Sequence, residues 1–184
     1  MIRDKRLKDS KGVTLVELIV VITVIGILAV ALGIEFSNWM VNYRVESDIK
    51  QLYVDLMNCR SRAMQRNRIH FATGNATSYE VYEDTNPAPD GDGVLNTSTD
   101  TLVSALTNTI PATERYTLEW TGGGSAISCD KNGTISPTGE LYLKDKLATD
   151  PGKAFDAEYD CITVETTRLN LGKWDYGSSE CDAK

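Results

Sequence analysis

Residues Val13–Ile34, VTLVELIVVITVIGILAVALGI, form a 22-residue apolar run broken by one charge, Glu17. As a helix this run rises about 33 Å, enough to cross a hydrocarbon layer of about 30 Å. Residues 1–12 carry Arg3, Lys5, Arg6, Lys8 and Lys11 against Asp4 and Asp9, a net of +3. The whole chain carries −7, so −10 remains after that leader. A basic flank before the run and Glu35, Glu46 and Asp48 after it predict an N-terminus in the cytoplasm and a body outside. The residues following the run, EFSNWMVNYR, lack the small-residue cleavage site of a secretory signal, so a retained single-pass anchor is expected.

The join KGVTLVEL is more specific. A basic leader ends in Gly12, an apolar residue follows, and a lone Glu stands fifth in the apolar helix. This resembles the prepilin processing site of type IV pilins and type II secretion pseudopilins. The resemblance implies cutting by a prepilin peptidase between Gly12 and Val13, methylation of the new amine on Val13, and an assembly role for Glu17. Val13 stands where Phe is usual, and Ile34 where major pilins carry Pro; Gly26 and Gly33 remain as weak points of the helix. Independently of the family, a carboxylate in an apolar span costs several kcal/mol unless paired. A positive amine one helical turn away, its own or a neighbour's, is the natural partner. A hydrated carboxylate near the interface is the bland alternative.

Beyond the run, Ile49, Leu52, Leu56, Cys59 and Ala63 keep a three–four spacing, widened by Tyr53 and Met57. No Pro or Gly falls between Ile34 and Asn67, so one helix is expected to run to about Arg68. Arg60, Arg62, Arg66 and Arg68 in RSRAMQRNR could meet an anion or DNA, but cations at a helix C-terminus explain them more simply. Residues 13–72, with this arginine-rich helix end, resemble the H-type pseudopilin and minor pilin family (GspH/FimT).

After Asn67 the period changes. IHFA (69–72), YEVYE (79–83), YTLEW (116–120), SAISCD (125–130), ELYLK (140–144), CITVET (161–166) and RLNLGKW (168–174) read as short strands separated by turns. The expected fold is α+β, a long N-terminal transmembrane and amphipathic helix packed on an antiparallel β-sheet, the pilin fold. Its parts are a leader (1–12), a transmembrane half-helix (13–38) and a periplasmic or extracellular globular domain (39–184).

Four cysteines, Cys59, Cys129, Cys161 and Cys181, without a CxxC pair suit two disulfides better than a metal site. Cys161–Cys181 with Cys59–Cys129 is the favoured pairing; Cys129–Cys161 with Cys59 as a buried thiol is the competitor. In EDTNPAPDGDGVLNTSTDT, the oxygens of Asp84, Asn86, Asp90, Asp92, Asn96 and Asp100 could hold calcium. The spacing departs from the EF-hand pattern, and a solvated turn-rich loop accounts for the same composition. No catalytic constellation emerges: His70 has no evident nucleophile beside it, and TGGGS (121–125) lacks the context of a phosphate loop. The sequon Asn75-Ala76-Thr77 fits eukaryotic glycosylation and is irrelevant if the chain is bacterial.

The expected function is therefore structural: a minor pilin or pseudopilin subunit, not an enzyme, with no cofactor beyond possible calcium. Its partners would be other pilins or pseudopilins through the N-terminal helix, the prepilin peptidase and the bacterial inner membrane. A DNA- or surface-binding minor pilin is the rival. Its C-terminal cations are Arg168, Lys173 and Lys184 among several acids, and an acidic body disfavours nucleic acid as the main partner.

Overall fold

A computed structural model describes residues 12–111, 114–147 and 155–184, with the side chains of 31–35 and 37 left aside. The chain divides into two compact units, Met1–Trp39 and Met40–Lys184. The first unit, from Leu15 onward, is helix, and every described side chain from Val13 to Val30 is exposed. The expected leader, 1–12, lies outside the described residues except for Gly12.

Helix α1 spans Leu15–Arg66. It stops at Asn67, which adopts a left-handed backbone (φ 53). Arg68 N–H then donates back to Ala63 C=O at 3.2 Å, a Schellman closure that satisfies a terminal carbonyl and turns the chain into β1. Within the second unit, Val45, Ile49, Leu52, Leu56, Cys59 and Ala63 make one buried stripe, each 4 % exposed or less. Burial of an aliphatic side chain of this kind contributes about 1.5–3 kcal/mol.

The strands are β1 (His70–Asn75), β2 (Ser78–Glu83), β3 (Thr101–Leu102), β4 (Asn108–Thr109), β5 (Tyr116–Trp120), β6 (Ala126–Cys129), β7 (Ile135–Ser136), β8 (Gly139–Asp145), β9 (Cys161–Val164), β10 (Leu169–Asp175) and β11 (Glu180–Ala183). All seven expected strands form, and every pairing is antiparallel. They build two sheets rather than one. Sheet A runs β3-β2-β1-β6-β7, with β4 also on β2; sheet B runs β11-β10-β9-β8-β5. The division follows from pairing: β2 and β6 occupy both edges of β1, so β5 takes β8 as its partner.

Each sheet sends one tyrosine to the helix. Tyr116 of β5 donates to Asp48 at 2.7 Å, and Tyr79 of β2 donates to Asp55 at 2.6 Å. Burial pushes the pKa of both phenols far up, and that of Asp48 upward as well. These bonds give buried polar groups partners where losing one would cost about 1–3 kcal/mol.

A second, smaller cluster comprises Cys161, Trp174 and Cys181 with Tyr142 and Tyr176. Tyr142 and Trp174 stack at 3.8 Å, nearly parallel. Gly172 of β10 lies opposite Cys161 of β9, and Trp174 opposite Cys181 of β11. A Cβ on Gly172 would come 2.4 Å from Asp182 O and 2.8 Å from Cys181 Sγ, so only glycine fits beneath this crossing.

Candidate functional site

The helix start is built from three residues. Gly12, Val13 and Thr14 precede α1 without helical structure, and all are exposed. Thr14 is the cap: its Oγ1 accepts from Glu17 N–H at 3.2 Å, and its C=O accepts from Leu18 N–H at 3.2 Å. Thr14-Leu15-Val16-Glu17 is thus the Thr-x-x-Glu pattern of a capping box, with Glu17 at its third helical position. Sequence reasoning had singled out Glu17 and missed Thr14, although the four-residue spacing carried the signal. A carboxylate in the first turn also meets the positive end of the helix dipole, worth about 0.3–1 kcal/mol.

Around this start the apolar side chains face outward on every side; Val13 is 71 % and Leu15 76 % exposed. A contiguous apolar surface of that kind requires a cover of lipid or other helices. Among the described residues no helix is long and apolar enough to cross a membrane. The expected span Val13–Ile34 ends within 31–35, whose side chains lie outside the described residues.

The other singled-out residues fall in the second unit. Cys161 and Cys181 are bonded, with S–S 2.03 Å and Cα–Cα 6.0 Å. Cys59 and Cys129 differ from the expected bridge: both are free thiols, buried side by side where the helix stripe meets β6. The neighbouring Cys129, together with burial, pushes the Cys59 thiol well above its usual pKa.

The expected calcium ligands do not converge. Asp84 is fully buried and accepts from the backbone N–H of Gly93 at 2.8 Å and of Asp92 at 3.3 Å. Asn86 reaches Thr99 and Asp92 caps Val94 N–H, while Asp90 is exposed. Asp100 accepts from Asn96 N–H at 2.7 Å. Among the described residues, no three His, Cys, Asp or Glu side chains are grouped to hold a metal. These acids organise the loop by capping its own backbone, with Gly91 lying so close to Asp84 that a Cβ would meet Oδ1 at 2.0 Å.

Three of the four arginines at the helix end have partners within the fold. Arg66 and Arg68 both reach the buried Glu83, at 2.7 and 3.3 Å, and Arg60 donates to Thr167 C=O at 2.8 Å. His70 is fully buried, with Nδ1 3.2 Å from Arg68 C=O; burial pushes its pKa down. Each of the three C-terminal cations faces an acid: Arg168 meets Glu165, Lys173 meets Asp156, and Lys184 meets Glu158.

One cavity of about 260 Å³ opens in the second unit where the two sheets part. Leu52, Leu56, Ile127 and Leu141 form much of its wall, and Trp120 borders it.

No curated protein and no solved structure matches the chain. Residues 7–33 match the model described as the prokaryotic N-terminal methylation motif. This chain therefore carries a type IV prepilin-like methylation motif at the start of α1, followed by an α+β domain consistent with a pilin-like fold.

Proposed function

We propose that the chain is a filament subunit, a minor pilin or H-type pseudopilin of a type IV pilus or type II secretion pseudopilus, acting in filament initiation or at the tip. The observation that carries this reading is the coincidence of the methylation motif with an uncoiled, exposed Gly12–Val13 joint directly before a capped apolar helix. A peptidase needs an extended, accessible peptide bond, and residues inside a helix would first have to unwind.

On this reading cutting leaves a cationic amine on Val13, which methylation keeps charged. Glu17 sits four residues on, about one turn away. In an apolar surrounding an unpaired carboxylate and an unpaired amine are each costly, so a subunit gains by offering Glu17 to a neighbour's amine at one axial register. The apolar helix would lodge in the bacterial inner membrane before assembly, with the body at 40–184 outside. Mass spectrometry of membrane-extracted protein tests this: a methylated Val13 start is expected, and an intact Met1 start in cells with active peptidase refutes it.

A further inference from the structure

We propose that the cavity beside Trp120 is a docking site for an extended, uncharged segment of a partner protein flanked by basic residues, which adds to the edge of β5 at its Trp120 end, beyond the Leu118–Ala76 bond.

β5 ends sheet B and pairs only with β8. Arg115 C=O accepts from Lys146 N–H and Thr121 N–H donates to Glu140 C=O, so the odd-numbered residues face β8. Tyr116, Leu118 and Trp120 therefore turn their N–H and C=O groups to the other edge. There Ala76 C=O accepts from Leu118 N–H at 3.0 Å, and toward Trp120 the sheets part around the cavity. β1 cannot close the gap, because β2 and β6 already fill its edges.

Trp120, at the border of the gap, also carries an indole N–H. Trp120 Nε1 is buried and, among the described residues, has no hydrogen-bond partner. The ring is held in place: a Cβ on Gly122 would strike it at 1.9 Å, and one on Gly139 at 2.9 Å. An apolar hole next to an open strand edge is the arrangement by which sheets take up a peptide, with backbone bonds for affinity and a pocket for one side chain.

Charge selects the partner. Glu119 borders the cavity and no Lys, Arg or His does. Residues 40–184 carry a net −8 in a chain of −7. An anionic segment is repelled and a lysine-flanked one attracted. This inference is independent of the N-terminal motif, since its readouts are confined to the second unit.

The test uses full-length protein in lipid nanodiscs, labelled with 5-fluorotryptophan. The three fluorine signals are assigned through Trp39→Phe and Trp174→Phe. The probes are a lysine-flanked hexapeptide of alternating valine and threonine, its backbone N-methylated counterpart, and decanol. The plain peptide is expected to shift the Trp120 signal alone, saturably, with the N-methylated one at least tenfold weaker. Ala126→Phe, which fills the mouth, should weaken binding at least tenfold; Glu119→Lys, which leaves the wall intact, at least threefold. Equal binding of the N-methylated peptide overturns strand pairing. A response to decanol without one to the peptide makes the cavity a small-molecule site and overturns the proposal, as does no response to any probe.

Discussion

Asp160 offers a quantitative test of how the second unit is held together. Its side chain is 1 % exposed and accepts from Trp174 N–H at 2.5 Å. Burial raises its pKa from 3.8 to about 6, although the Trp174 bond and the charges of Lys173 and Lys184 pull the other way. A raised carboxyl pKa stabilises the folded state most when the group is protonated. The contribution is complete below about pH 4 and is lost as pH rises through about 6. Two pKa units correspond to about 3 kcal/mol. Asp160→Asn keeps an acceptor for Trp174 and removes the charge. The variant should match wild type near pH 4 and exceed it by about 2–3 kcal/mol at pH 7.5, or roughly 4–12 °C in Tm. Taking the difference between the two proteins cancels the opposite trend of Glu46, Asp130, Asp156 and Asp175, whose pKa values are lowered. The assay is thermal unfolding of both proteins, disulfide intact, from pH 4 to 7.5. A difference that stays flat, or a variant that loses ground as pH rises, would refute the reasoning.

Glu17→Ala should leave cutting at Gly12 and the Tm of the second unit unchanged while incorporation into sheared filaments falls, a loss of about 1–3 kcal/mol per subunit; wild-type incorporation would make the carboxylate dispensable. Gly172→Ala forces a Cβ against Asp182 O and Cys181 Sγ; about 2 kcal/mol or more of stability and part of the Cys161–Cys181 bond should be lost, read by melting and non-reducing peptide mapping. Cys59 and Cys129 should resist a water-soluble maleimide at pH 7 in folded protein and react fully once unfolded; rapid labelling of native protein would contradict their burial.

The elements of the second unit were legible because their signals are local. The three–four spacing of Ile49 to Ala63 fixes the buried face of α1, and alternation in Tyr116–Trp120 marks a strand. Pairing was not legible. Whether β5 joins β1 or β8 depends on contacts between residues distant in sequence, which no window of alternation records. The two-residue strands β3, β4 and β7 are too short to show a period at all. The acidic loop misled for a related reason: Asp84 and Asp100 are bound by backbone N–H groups, which composition does not count. At the helix start the sequence named the carboxylate, and the Thr14–Glu17 spacing held the capping signal beside it.

The disulfide beneath which Gly172 lies has a mechanical consequence. On the filament-subunit reading proposed above, the chain is loaded along its length, and an extensible chain yields about 3.3–3.6 Å per residue when a strand is peeled away. Cys161 and Cys181 are 20 residues apart in sequence, so their bond removes roughly 70 Å of extension from the C-terminal hairpins. Under force sheet A can unravel, while β9, β10 and the start of β11 stay tethered as a closed loop. Reduction of this one bond should lengthen the forced-unfolding step by that amount.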